Sequence, residues 1–282
     1  MSAARPGLVV VGTPIGNLSD LSPRAAEALA GADVIACEDT RRTGRLLSHL
    51  GISGPRLVRV DDHTEHAEAQ HLVDRARAGQ VVVLVSDAGL PGLSDPGARV
   101  IAAAAEADVI VEVIPGPFAG AVAAVASALL DPSGRFVFEG FLPRKGSERR
   151  DRIDALVDER RTTVLYEAPH RIERTVEDLA EALGGDRRIA LCRELTKMHE
   201  EVWRGSLAEA LVHVAEFEPR GEYVVVVEGA PAPDDATDET LVAALEAALA
   251  SGLSRRDAAA TVAASHGVAA NRTKRLVNAI EA

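Results

Sequence analysis

The sequence predicts an α/β protein: two α/β domains, the first with a parallel doubly wound sheet and the second with a mixed sheet, plus a small C-terminal helical module. Three observations carry this. Short, mostly β-branched runs alternate with helical stretches from residue 8 to residue 114, the rhythm of a parallel sheet with crossover helices. After residue 135 the alternation is looser, which suits a mixed sheet. Residues 230–239, A-P-A-P-D-D-A-T-D-E, then form a linker by composition, and three helix-like pieces follow it. The expected domains are 1–117 and 118–229, then the linker 230–239 and the module 240–282.

In order, residues 8–11 are a first strand, leading into Gly12-Thr13-Pro14-Ile15-Gly16-Asn17. Ser22 caps a helix with Pro23 at its first position. Strand 34–37 runs into Glu38-Asp39-Thr40-Arg41-Arg42 and a helix stopped by Gly51. Strand 57–60 leads into Asp61, Asp62, His63 and a helix ending before Gly79. Strand 81–85 is continuously apolar, as for a strand covered on both faces. A helix over 97–105 and a strand over 109–114 complete the first domain. Helix 118–130 is apolar almost all round, which predicts burial between layers. The second domain has strands at 136–138, 162–166, 189–192 and 222–227, with helices over 147–159 and 172–183. Helices 240–250, 255–265 and 269–282 have the outline of a helix-turn-helix, with Ser254 as a cap and His266-Gly267 as the turn.

A chain of 282 residues accommodates about two cores. Hydrophobic residues make up 47% but aromatics only 3%, so the cores are expected to be aliphatic. A net charge of −12 argues against general attraction to nucleic acid. The last 32 residues reverse that balance locally: Arg255, Arg256, Arg272, Lys274 and Arg275 face only Asp257 and Glu281, a composition suited to a polyanion. Cys37 and Cys192 stand far apart, so no disulfide framework is expected, and a reducing, cytoplasmic setting fits. The start M-S-A-A-R-P-G lacks a signal-peptide apolar region, and prolines and glycines interrupt the uncharged stretch 113–130, so no membrane span is expected. His63, His66 and His71 beside Asp61 and Asp62 have irregular spacing for a metal, and none is expected.

The stretch after the fourth strand, S-D-A-G-L-P-G-L-S-D-P-G (86–97), concentrates glycine, proline and aspartate where open α/β sheets bind ligands. It is neither a dinucleotide fingerprint nor a P-loop. With V-G-T-P-I-G-N-L (11–18), C-E-D-T-R-R-T (37–43), I-P-G-P (114–117), E-G-F-L-P-R-K-G (139–146), Y-E-A-P-H-R (166–171), R-E-L-T-K (193–197) and G-E-Y-V-V-V-V-E-G (221–229), it closely resembles the tetrapyrrole methylase superfamily. Within it, the resemblance is to the branch that 2′-O-methylates a cytidine of small-subunit ribosomal RNA. Tetrapyrrole-methylating members usually carry a G-x-G-P-G-D-like loop after the first strand, whereas this chain has Gly12-Thr13-Pro14-Ile15-Gly16-Asn17.

The resemblance implies S-adenosylmethionine in a cleft between two α/β domains, contacting Pro14, Ile15, Asp87, Ala88, Gly89, Phe118, Ala119, Tyr166, Glu167 and Leu195. Asp87 or Glu167 is the candidate counter-charge for the sulfonium. The methyl donor is already activated, so alignment dominates, but a ribose hydroxyl is a weak nucleophile and gains from a base. Lys197 with a burial-lowered pKa is the first candidate, and Glu194 and Asp39 are the alternatives. Arg41, Arg42, Arg144, Lys145, Arg149, Arg150, His170 and Arg171, with the C-terminal cations, are candidate phosphate contacts, and binding is then expected to weaken with salt. One Trp and two Tyr argue against broad stacking platforms, so recognition by shape with a flipped base is expected. The family often pairs, and helix 118–130 is a candidate dimer element. Two other readings stay open: a tetrapyrrole or corrinoid C-methyltransferase, and a non-catalytic nucleic-acid-binding regulator.

Overall fold

The computed structural model describes residues 5–216, 219–231, 236–268 and 270–280. Residues 232–235 of the expected linker lie outside the described residues. The chain divides into two compact units, 1–229 and 230–282.

The larger unit holds two five-stranded sheets. In the first, β1 (Gly7–Val11), β2 (Val34–Cys37), β3 (Arg56–Arg59), β4 (Val81–Leu84) and β5 (Val111–Ile114) are all parallel, in the order β3-β2-β4-β1-β5. Strand alternation sorts the apolar runs onto two faces. Leu8, Val10, Val34, Val82 and Leu84 join one core, while Val9, Val11, Ile35, Val81 and Val83 join the other. Helices α1 (Pro23–Ala30) and α2 (Thr40–His49) contribute to one face, and α3 (Glu65–Arg77) and α4 (Ala98–Glu106) to the other. Neighbouring strands β1 and β4 send their connections in opposite directions, to β2 and β5, which opens a crevice at their carboxyl ends.

The second sheet runs β6 (Phe136–Phe141), β7 (Thr162–Glu167), β10 (Tyr223–Val227), β8 (Arg188–Arg193) and β9 (Glu201–Ser206). Only β6 and β7 pair in parallel; the other pairs are antiparallel. Helices α6 (Ser147–Asp154), α7 (Ile172–Leu183) and α8 (Leu207–Glu216) cover one face. The opposite face, with Val164, Ala190, Cys192, Val224 and Val226, receives α5 (Ala119–Ser127) and Ile15 from the first lobe. One core thus spans both lobes.

Several boundaries differ from expectation. Strand β6 continues three residues past Phe138 because its register shifts between Phe138 and Gly140. Strand β9 carries too little periodicity to be read ahead: E-V-W-R-G-S is a part-exposed edge strand. Helix α8 was not anticipated, although Leu207, Ala210 and Val214 recur at helical spacing. Helix α5 is not buried all round. Gly120, Ala123, Ala124 and Ser127 pack inward, but Val125 is 74% exposed, because a narrow alanine face already makes the contact with the sheet.

In the smaller unit, α9 (Asp238–Ala250), α10 (Arg255–Ser265) and α11 (Ala270–Ala279) pack around Leu241, Leu245, Ala258, Ala259, Val262 and Val277. Thr237 and Ser254 cap the first two helices, and the buried Thr273 hydroxyl donates to Ala259 O at 2.9 Å.

Candidate functional site

Two tight loops build the first wall of the crevice. Thr13 and Gly89 exchange backbone hydrogen bonds of 2.8 and 3.1 Å, welding the loop after β1 to the loop after β4. Ser86 Oγ donates back to Ala88 O at 3.1 Å. Behind them the backbones of Gly12 and Gly116 touch: a Cβ on Gly116 would lie 2.7 Å from Gly12 Cα, so neither position admits a side chain. The far end of the β4 loop is tied to α3. The buried Glu65 carboxylate accepts from Gly97 N and Arg99 N, both at 2.8 Å, at the start of α4.

The second wall comes from the other lobe. Asn17 N donates to Thr196 Oγ1 at 3.1 Å, and Gly140 lies against Ser94 so closely that a Cβ would sit 2.5 Å from its Oγ. Between these contacts is a cavity of about 260 Å³. Ile15, Ala88, Gly89 and Leu195 line it, as do Phe118, Ala119, Tyr166 and Glu167. It is the kind of mainly apolar, loop-walled pocket that holds a small molecule. Tyr166 accepts from Gly120 N at 3.3 Å, and burial pushes its phenol up to about 12, so it stays protonated.

The carboxylates are arranged differently from expectation. Asp87 does not line the cavity. It turns outward, accepting from Asp39 N at 3.1 Å and pairing with Arg42 at 3.4 Å, in a polar crevice shared with Glu38, Arg59 and Asp61. Pro14 is half-buried beside Thr13 and is likewise absent from the lining. Glu167 is buried with its charge already matched: Thr175 Oγ1 donates at 2.6 Å, Ala168 N at 2.9 Å, and Arg171 lies at 3.1 Å. Neither acid is free as the counter-charge for a bound cation. Glu167 and Glu222, both held by cations, share the cavity lining with a third acid, Asp95, at the far end of the same loop as Asp87. Burial, with Glu38 and Asp87 nearby, pushes it up to about 7, against a partly opposing hydrogen bond from Ser86. Sequence reading passed over it, although a second aspartate in a Gly/Pro-rich loop was a visible signal.

The expected bases are corrected too. Lys197 does line the cavity, but its Nζ sits 2.9 Å from Glu194 and 2.7 Å from Glu222. Burial alone would lower it; the hydrogen bonds to Glu222 and Glu194 more than reverse this, so Lys197 is raised and stays a cation. Burial likewise works to raise Glu194, but Lys197 and Glu222 N outweigh it and hold the carboxyl low. Asp39 is held low by Arg41, which donates to both of its oxygens, and it lines the outer crevice rather than the cavity.

Of the candidate phosphate contacts, Arg144, Lys145 and His170 are exposed at the ends of β6 and β7. Arg41 and Arg42 are exposed but paired with Asp39 and Asp87. Arg171 and Arg149 are structural. Arg171 donates to Leu142 O at 2.7 Å as well as pairing with Glu167, and Arg149 is buried on Asp178, Thr175 and Pro143 O. In the smaller unit Arg255 binds the last carbonyls of α11, Val277 O and Ile280 O, while Arg272 binds Asp238 and Ala236 O. Arg256, Lys274 and Arg275 remain exposed. No group of three His, Cys, Asp or Glu side chains is arranged to hold a metal among the described residues.

A family model described as tetrapyrrole (corrin/porphyrin) methylases matches residues 7–211. Among curated proteins, the ribosomal RNA small subunit methyltransferase I of Mycobacterium tuberculosis is 47% identical, over 99% of this chain and 95% of its own length. The protein of that name from Synechocystis is 45% identical over 91% of each chain, and that from Escherichia coli O157:H7 is 43% identical over 94% and 92%. Among solved structures, uroporphyrin-III-C-methyltransferase from Thermus thermophilus matches at a TM-score of 0.57 with 26% identity, over 79% of this chain and 94% of that one. The methyltransferase CobJ matches at 0.60 with 24% identity, over 79% and 94%. With its cavity walled by the loops that carry the family's motifs, and with a match extending over most of its length, the chain belongs to the tetrapyrrole (corrin/porphyrin) methylase family.

Proposed function

We propose that the protein transfers a methyl group from S-adenosylmethionine to the ribose 2′-hydroxyl of a cytidine in small-subunit ribosomal RNA. The observation that carries this reading is the reach of the two likenesses. The tetrapyrrole enzyme at 26% identity covers 79% of the chain, whereas the ribosomal RNA methyltransferase at 47% covers 99%, the C-terminal helical unit with its cluster of cations included. On this reading the body, 1–117 with 118–229, performs the chemistry, and 240–282 beyond the linker 230–239 contacts RNA.

The cavity suits the cofactor. Apolar and aromatic walls accept an adenine and a thioether chain, and Asp95 adds a carboxyl group to the lining. When bound, the cofactor supplies a methyl group already activated on a sulfonium. The chain's task is then to align the acceptor oxygen, keep water out, and take up its proton. Asp95 fits the last role: pushed up to about 7, it accepts a proton more readily than an ordinary carboxylate. Lys197, held protonated by Glu194 and Glu222, instead offers a fixed positive charge at the cavity.

A ribosomal substrate puts the protein in the cytoplasm, and no described helix is long and apolar enough to cross a membrane. We further infer that two copies pair over the apolar surface that includes Val122 and Val125 of α5; a monomeric mass by light scattering would reject this. The activity is tested by supplying labelled S-adenosylmethionine with undermethylated small subunits, naked ribosomal RNA, a corrinoid precursor and duplex DNA. Label in ribosomal RNA is expected, and label in the corrinoid, or none anywhere, overturns the reading.

A further inference from the structure

The protein has only eight aromatic residues, five Phe, two Tyr and one Trp, yet four of them form one chain at the cavity. Phe118 meets Phe138 edge-on at 4.9 Å between ring centroids, Phe138 meets Tyr166 at 5.0 Å, and Tyr166 meets Phe141 at 5.5 Å. The last ring breaks the pattern of burial. Phe141 lines the cavity while remaining 48% exposed, an apolar ring left open to water on its outer side. Leu93 does the same from the opposite lobe, at 41%. Their chain neighbours Ser94 and Gly140 touch, so the two apolar groups share one rim, immediately beside Asp95.

The ring is also held in place. Gly140, at φ +62°, and the register shift beside it turn β6 toward the cavity. Arg152 clamps the turned segment: its guanidinium donates to the Glu139 carbonyl, to the Glu139 carboxylate at 2.6 and 3.1 Å, and to Phe141 O at 3.1 Å. Three and four residues beyond Phe141, exposed Arg144 and Lys145 add two cations with no ion pair among the described residues.

We propose that Phe141, with Leu93 across the rim, is the platform on which the acceptor nucleobase stacks, with Arg144 and Lys145 holding the flanking phosphates. This rests on the ribosomal RNA reading above and adds the acceptor subsite to it. A flat π-face next to paired cations matches a nucleotide lifted out of its strand, whose base stacks while its backbone stays near positive charge. A base seated there directs its own ribose toward Asp95. Arg152 is a positioning residue, acting through the backbone of Phe141.

Single-turnover methyl transfer to undermethylated small subunits, measured beside S-adenosylmethionine affinity by calorimetry, tests the assignment on the full chain. Phe141→Ala is expected to raise the subunit concentration at half-maximal rate about tenfold, the scale of losing one stacked base. Any loss of cofactor affinity should be smaller than the loss in that parameter, and Phe141→Tyr should restore most of it. Arg152→Met is expected to give a smaller defect in the same parameter, with Arg152→Lys restoring part of it. A wild type that labels subunits while Phe141→Ala behaves identically overturns the subsite alone. So does a Phe141→Ala variant whose whole defect is in cofactor affinity. A wild type that labels no ribosomal RNA overturns the functional reading, and this assignment with it.

Discussion

Asp87 and Asp95 belong to one loop, eight residues apart, and have opposite fates. Asp87 is turned to the outer crevice, matched by Arg42 and by Asp39 N. Asp95 faces the cavity without a cation, and burial with Glu38 and Asp87 close by pushes it up to about 7. The same residue type in the same Gly/Pro-rich stretch is in one place an ion-paired loop anchor and in the other a carboxyl group that holds its proton more tightly. Environment, not residue type, assigns the role.

The largest expected effect separates the two acids. Asp95→Asn should slow methyl transfer by about a hundredfold or more, the loss of a general base, while Asp87→Asn should cost only a fewfold through a loosened loop. Equal losses in single-turnover rate would erase the distinction. Next comes pH. A base must be ionised to act, so the rate should fall about tenfold per pH unit below 7 and level off above it. The same shift has a stability consequence. The folded state keeps a proton on Asp95 that the unfolded chain has already lost, so stability is lost as pH rises from the ordinary carboxylate range through 7. Asp95→Asn should therefore melt no lower than wild type at pH 8, despite its slowed transfer; a lower melting temperature in thermal denaturation would contradict the assigned environment.

A smaller effect is expected at the C-terminal helical unit. Lys274→Ala with Arg275→Ala should weaken RNA binding a fewfold and flatten its dependence on log salt by about one to two units, since both are exposed. Arg255→Ala should instead lower the melting temperature, because Arg255 holds the end of α11. The smallest shift belongs to Lys197. Lys197→Arg should leave the midpoint of the pH profile near 7, since the group that titrates is Asp95 and not the amine. A displaced midpoint would return Lys197 to candidacy as the base.

Much of the fold was legible in residue order. Runs such as Val81–Leu84, apolar without alternation, read as strands covered on both faces. The loops around Pro14, Ala88, Phe118, Tyr166 and Leu195 were identified as the site, and four of those five residues line the cavity. What stayed hidden depended on direction or on distant partners. Loop residues have no period, so nothing in S-D-A-G-L-P-G-L-S-D-P-G says which aspartate faces inward. The expected lowering of Lys197 was not met because one of its two acids, Glu222, lies 25 residues further along the chain. Glu201–Ser206 was missed because a part-exposed edge strand leaves little hydrophobic pattern.

Residue order alone specified two sheets, the loops that meet between them and the family to which they belong, since strand burial and tight turns are written in short-range pattern. Only the folded chain decided which carboxyl group is charged, which cation is committed to a helix end, and which aromatic ring is left open at the rim. Those outcomes depend on groups brought within a few ångströms from far along the chain: Coulomb interaction and desolvation act through space, not along sequence.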